Sequence, residues 1–182
     1  LSGALRKAAA LLDGKECCLG VAEDPSRKDQ PYFVPESRIE QARRMIAAGR
    51  YSDAYMVNWK SNVFPGVLGR TCDRPCEPAC RRGRVEDGEK KEPVAICRLK
   101  RVAADYKDDI RNRLPAIPQQ KNGKRIACIG AGPASLTVAR DLMPLGYHVT
   151  IFEADPWSGG MIRSQIPRFR LPETVIDEEV GY

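Results

Sequence analysis

Four of the seven cysteines in this 182-residue chain have a spacing that can do chemistry. Cys72, Cys76 and Cys80 follow one another at three-residue gaps, and Cys97 comes on a later segment. Thiolates are soft ligands that suit Zn²⁺ and iron–sulfur clusters alike. The gaps depart from the paired CxxC of common zinc fingers and from the CxxCxxC run of common ferredoxins. Pro75 and Pro78 bar a regular helix there, so these thiols lie on a wrapped loop that can turn several of them inward. On residue type alone, one ion and one cluster both remain open. An odd cysteine count without a secretion signature favours a metal or redox site over a disulfide framework. Cys17 and Cys18 are adjacent and read as ordinary thiols, while Cys128 lies mid-strand and reads as a small hydrophobe.

A second constellation lies further on, in RIACIGAGPASLTVARDLMPLGYHVTIFEAD. Gly130-Ala131-Gly132-Pro133-Ala134-Ser135 fills a GxGxxG slot after a strand and before a helix. Gly130 allows the tight turn, and Gly132 lets backbone approach a pyrophosphate. The helix start at Pro133 and Ala134 offers N–H groups and the positive end of its dipole. Glu153 closes the next strand, where a carboxylate binds a ribose hydroxyl and disfavours a 2′-phosphate. Ser135 replaces the third glycine and is still small. His148 is the sole histidine and opens a strand, so no Ser-His-Asp arrangement and no hydrolytic chemistry can be argued.

These groups need elements to hold them. Glu36–Gly49 carries a helical stripe of Ile39, Ala42, Ile46 and Ala47, with Gly49 as the residue that ends it. Tyr51–Lys60 reads as a second helix with Ser52 as its cap. A turn-rich stretch bears the first three cysteines. A third helix is predicted over Pro93–Lys107, with Pro93 in its first position and Ile96, Leu99, Val102, Ala103 and Tyr106 on its apolar side. Asp108–Gly123 holds Pro115 and Pro118 and reads as a connection. A buried strand (Lys124–Gly130), a helix (Pro133–Leu145, with Pro144 in its last turn) and a strand (His148–Glu153) follow. The division expected is 1–35 as an extension, 36–107 as a helical domain, 108–123 as a linker and 124–182 as the start of an α/β domain. A β-α-β start cannot cover both faces of its sheet, so a longer polypeptide or another chain is expected to complete it.

The net charge is +6, from 30 Lys and Arg against 24 Asp and Glu. That surplus is mild, it is spread apart from local clusters at Arg81–Arg84 and Lys90–Lys91, and aromatics are only 7%. A nucleic-acid surface would need a denser basic stripe. No apolar run is long enough for a membrane helix, and the N-terminal LSGALRKAAALLDG lacks a signal-peptide pattern. A cytoplasmic setting is therefore expected.

After Glu153 the chain reads ADPWSGGMIRSQIPRFRLPETVIDEEV. Its Gly159-Gly160-Met161 and Ile166-Pro167-Arg168-Phe169-Arg170-Leu171-Pro172 resemble the FAD site of a family. That family contains the glutamate synthase small subunit and the N-terminal part of dihydropyrimidine dehydrogenase. NVFPGVLGRTCDRPCEPACRRG and EPVAICRLKRVAAD resemble the segments that hold 4Fe-4S ligands in it. The resemblance runs from Glu36 to Tyr182. It implies a small α-helical iron–sulfur domain followed by the start of a Rossmann-like FAD-binding domain, an α plus α/β fold. It implies that Gly159, Gly160 and Met161 approach FAD and that Arg170 sits near its phosphate or flavin. It implies 4Fe-4S ligands among these cysteines, and one cluster on Cys72, Cys76, Cys80 and Cys97 is expected, with Cys97 supplying a ligand that relatives take from elsewhere; the alternative is mixed ligation with Cys17, Cys18 or a non-cysteine residue near Lys100. Relatives usually carry an earlier cysteine-rich motif and two clusters, whereas this chain has only Cys17-Cys18 upstream. The implied task is electron transfer between NAD(P)H, FAD and the cluster, beside other redox subunits such as a ferredoxin-like or catalytic subunit. The nicotinamide site would lie outside this sequence. Two alternatives are a non-catalytic wiring subunit with an empty FAD fold and a zinc-stabilised dinucleotide-binding regulator.

Overall fold

The computed structural model describes residues 38–78, 80 and 92–182. The expectations for Cys17, Cys18 and the basic clusters at 81–84 and 90–91 lie outside the described residues. The chain divides into two compact units, Leu1–Asp108 and Asp109–Tyr182.

The first unit contains α1 (Arg38–Ala47), α2 (Tyr51–Trp59), α3 (Pro65–Thr71) and α4 (Ile96–Asp105). α4 is the hub, packing against each of the other three. Small residues make this possible: Ala54 and Ala103 are fully buried, and Tyr55 and Val67 fill the space beside them. Gly69 lets α3 lie directly on α4, because a Cβ there would stand 2.9 Å from the Arg101 nitrogen. Asp105 ties the same pair together, accepting from the Arg70 guanidinium across the helices and from Arg101 Nε at 3.3 Å.

Three expectations change here. The turn-rich stretch contains helix α3, which Phe64 enters through a left-handed φ of 57° with Pro65 in the first turn. Ser52 does not cap α2, whose N-cap is Arg50. Its hydroxyl instead accepts from the Asp108 N–H at 2.9 Å and donates to the Asp108 carboxylate at 3.0 Å, closing the unit on itself. α4 begins at Ile96, after the Pro93 expected to open it, and Tyr106 is 68% exposed, its ring tilted against that of Tyr51 with centroids 5.4 Å apart. α1 meets expectation at its end, where Gly49 adopts φ +71° and its N–H donates to Ile46.

The second unit holds β1 (Arg125–Ile129), α5 (Pro133–Leu142), β2 (His148–Phe152), α6 (Met161–Ser164) and α7 (Glu173–Val180). β1 and β2 pair in parallel, with Arg125 opposite His148 and Ile129 opposite Phe152. Pro144 ends α5 early: Met143–Leu145 tightens to a 3₁₀ turn, and Gly146 reverses the chain at φ +84°. The strands are less buried than expected. Cys128 points into the core, but Ile129 is 83% and Phe152 56% exposed. A two-stranded sheet with one crossover helix has too little cover for both faces. Leu171 and Ile176, both 1% exposed, anchor α7.

Candidate functional site

The cysteine group is built around the start of α4. Cys72 is the residue that ends α3, and Cys97 lies in the first turn of α4, so the α3–α4 packing brings their segments together. Cys97 and Cys72 share a hydrogen bond, and both act electrostatically on Cys76 or are acted on by it. Between them the loop reverses at Arg74, a left-handed residue at φ +60°. Its N–H donates to Cys72 Sγ at 3.4 Å. Cys80 is buried, and its Sγ accepts from the Val94 N–H at 3.5 Å, which seats it beside the entry to the same helix.

Burial, with Cys72 adding to it, pushes the Cys76 thiol above its ordinary value. Burial and then the hydrogen bond with Cys72 push Cys97 up to about 12. Lys100 pulls both the other way. Cys76 and Cys97 therefore keep their protons until a positively charged centre replaces them. Among the described residues no three His, Cys, Asp or Glu side chains close to the spacing that one metal ion needs. The soft donors, with backbone N–H groups already directed at Cys72 and Cys80, have the chemistry of iron–sulfur cluster ligands.

The glycine site joins three segments distant in sequence. Gly130 turns at φ +86°, and its N–H donates to the Phe152 carbonyl at 2.7 Å. The Gly159-Gly160 turn docks on this loop. The Gly159 N–H donates to the Ala131 carbonyl at 2.8 Å, and a Cβ on Gly160 would stand 3.0 Å from Gly132 Cα. The Glu153 carboxylate accepts from the N–H groups of Ala131 (2.5 Å), Ala154 (2.7 Å) and Asp155 (3.0 Å). These bonds, Ala131 foremost, hold its carboxyl below the usual value. A carboxylate has about four lone-pair sites, so an exposed one using three can still accept from a ribose hydroxyl. Among the described residues, and apart from the immediate chain neighbours, no atom stands within 4 Å of where a Cβ on Gly130 or Gly132 would be. The first-turn N–H groups of α5, starting at Ala134, have no intrahelical acceptor. An open cradle with N–H donors and a carboxylate at its edge fits a dinucleotide.

Met161 is 65% exposed at the start of α6, adjoining the docked turn. Arg170 lies exposed on the turn before α7, its N–H donating to Pro167 at 2.9 Å, and neither fact ties it to the glycine loop. Two residues were missed by sequence reasoning. Ala131 joins all three segments through its N–H and carbonyl, which an alanine code letter does not reveal. Arg163 holds the docked turn, donating from Nε to the Ser158 carbonyl at 2.6 Å and pairing with Asp177 of α7. A cavity of about 600 Å³ lies beside Arg163, Trp157, Ile166 and Arg168, and none of the glycine-loop residues lines it.

With this geometry in hand, the comparisons with known proteins divide the chain in the same order. The family described as dihydropyrimidine dehydrogenase domain II, 4Fe-4S cluster, matches residues 6–112. The chain belongs to that family. An NAD(P)-binding Rossmann-like domain matches residues 128–177. The chain is thus an iron–sulfur domain followed by the start of a Rossmann-like nucleotide-binding domain. It is 40% identical over 157 residues to the NADP(+)-dependent formate dehydrogenase subunit beta of Moorella thermoacetica, covering 74% of this chain and 21% of that one. It is 40% identical over 122 residues to the NAD-dependent dihydropyrimidine dehydrogenase subunit PreT of Salmonella typhimurium, covering 67% and 29%. It is 34% identical over 142 residues to the glutamate synthase [NADPH] small chain of Mycobacterium tuberculosis, covering 78% and 28%. The chain therefore spans less than a third of the length of these relatives. Their names carry the resemblance to glutamate synthase and dihydropyrimidine dehydrogenase read from the motifs. No helix among the described residues is long and apolar enough to cross a membrane.

Proposed function

We propose that this chain is the iron–sulfur and FAD-binding part of an NAD(P)H-linked oxidoreductase subunit, working beside other redox subunits in the cytoplasm. The observation that carries the reading is the docking of the Gly159-Gly160 turn on the Gly130–Gly132 loop beside Glu153, in the same chain as the cysteine group. FAD and a 4Fe-4S cluster, when bound, supply the exchange between two-electron hydride chemistry and single-electron transfer.

The residues have separate tasks. Gly130 and Gly132 keep side chains out of the pyrophosphate path, while the start of α5 at Pro133 and Ala134 turns N–H groups and the dipole toward it. Glu153 holds the loop through Ala131 and accepts from the ribose. Gly159, Gly160 and Met161 approach the flavin side, and for Arg170 the support is its resemblance to the family motif. Cys72, Cys76, Cys80 and Cys97 hold the cluster, and the N–H groups of Arg74 and Val94 support the charge on two of the sulfurs. Thiolate ligands of this kind stay reduced in a reducing compartment. The relatives' names, each a subunit or chain acting with NAD(P), support the nicotinamide link and the multi-subunit setting.

The test is an anaerobic ultraviolet–visible spectrum of the purified protein, with iron, zinc and flavin measured on the same sample. Flavin bands over a broad iron–sulfur shoulder, with about four irons per chain, are expected. A colourless sample holding one zinc per chain would sink the cluster assignment. Iron without flavin would leave only the wiring role.

A further inference from the structure

One cation beside the cysteine group is left unused by the reading above. Lys100 is on α4, three residues beyond Cys97, so both lie on one face of the helix. It is half-buried, and its charge acts on both Cys76 and Cys97. Nearby cations have other engagements. Arg70 and Arg101 share Asp105, Arg74 faces Glu77 at 3.9 Å, and Lys107 donates to the Ala104 carbonyl and covers the Tyr55 ring. No carboxylate pairs with Lys100 among the described residues. A half-buried ammonium without a counter-ion is costly unless something negative stands near it. A cluster held by four thiolates supplies that negative charge in both of its oxidation states.

We propose that Lys100 is the charge-compensating residue of the cluster site, its ammonium standing beside Cys76 and Cys97 and raising the reduction potential of the group they help to hold. The added electron makes the cluster more negative, so a fixed positive charge at short range favours the reduced form. Lys100 is a positioning and tuning residue that makes no bond to iron. This inference rests on the cluster reading above.

The test uses anaerobically purified protein carrying Lys100→Met, Lys100→Gln, Lys100→Arg or Arg98→Gln, the last removing an exposed cation from the same helix. Iron and sulfide are quantified first, and the cluster is then titrated potentiometrically with electron paramagnetic resonance as readout. In Lys100→Met, wild-type iron content is expected with a lower midpoint. The shift should be about tenfold in the reduced-to-oxidised ratio at fixed poise, about 59 mV for one electron. Lys100→Arg should restore the midpoint, and Arg98→Gln should leave it unmoved. If Lys100→Met loses its iron, the midpoint of Lys100→Gln decides by the same criterion. Neutral variants with full iron and an unmoved midpoint would overturn the role of Lys100 alone, as would an equal shift in Arg98→Gln. Wild-type protein without iron overturns the cluster reading itself.

Discussion

A methyl group added at Gly132 and one added at Gly160 meet different surroundings, although both glycines belong to one site. Gly132 has φ −79° and ψ 177°, which any residue adopts, and, among the described residues other than its chain neighbours, no atom near its side-chain position. Gly132→Ala is expected to keep stability within about 0.5 kcal/mol while weakening FAD binding roughly tenfold or more. The two readouts are the thermal midpoint and a flavin fluorescence titration. Gly160 has φ +52° and a Cβ path that ends on Gly132 Cα. Gly160→Ala should therefore cost about 1–3 kcal/mol by itself and lower the thermal midpoint. Glu153 shows a pH dependence of definite sign. Its carboxyl is held below the ordinary 4.5, so its support of the loop is full above that pH and is lost as the pH falls through the folded value. The thermal-midpoint gap between wild type and Glu153→Gln should begin to narrow below about pH 4.5 and close as the pH falls through the lower folded value, where both carry a neutral side chain. A gap that widens on acidification would refute the assigned bonds. The glycines and Glu153 were legible as letters, but the Ala131 bridge between them was not, because backbone hydrogen bonds leave no mark on residue identity.

At the scale of elements, the α3–α4 pair positions Cys72 and Cys97. It depends on a close approach at Gly69 and a charged clasp at Asp105. Gly69→Ala is expected to destabilise by about 1–3 kcal/mol, since Arg101 backbone cannot move aside as a flexible side chain can. Asp105→Ala leaves Arg70, whose side chain is 8% exposed, without the carboxylate that faces it, and should cost about 3 kcal/mol in urea denaturation. An unchanged denaturation midpoint in both variants would mean that α3 does not dock as described. The sequence hid α3 for an identifiable reason. Pro65, Gly66 and Gly69 are turn formers by local propensity, and the same small residues are what allow two helix backbones to touch. Ser52 misled in a similar way. Local pattern makes it a cap, while a residue 56 positions away claims its hydroxyl.

Over the whole molecule, buried and uncovered apolar groups are sharply separated in the nucleotide-binding unit. Leu171 and Ile176 are enclosed, and Ile176→Ala should lose about 2–5 kcal/mol. Ile129 and Phe152, paired at the ends of β1 and β2, are exposed. Ile129→Thr should leave the melting temperature nearly unchanged while raising solubility, as expected for a surface apolar pair. A cost like that of Ile176→Ala would show that the strand end is covered.

The amino-acid sequence by itself determined the order of the two parts and the family, and it carries the residue types of both candidate sites. These follow from local spacing, which a chain carries in any conformation. The β-α-β unit was readable because its period and its glycines are local features. Only the tertiary structure decided that the Gly159-Gly160 turn rests on Gly132 and that Cys97 meets Cys72 rather than standing apart. Each of those is a contact between segments far apart in the chain. It is set by close packing and by the need of buried polar groups for partners, which no short-range pattern encodes.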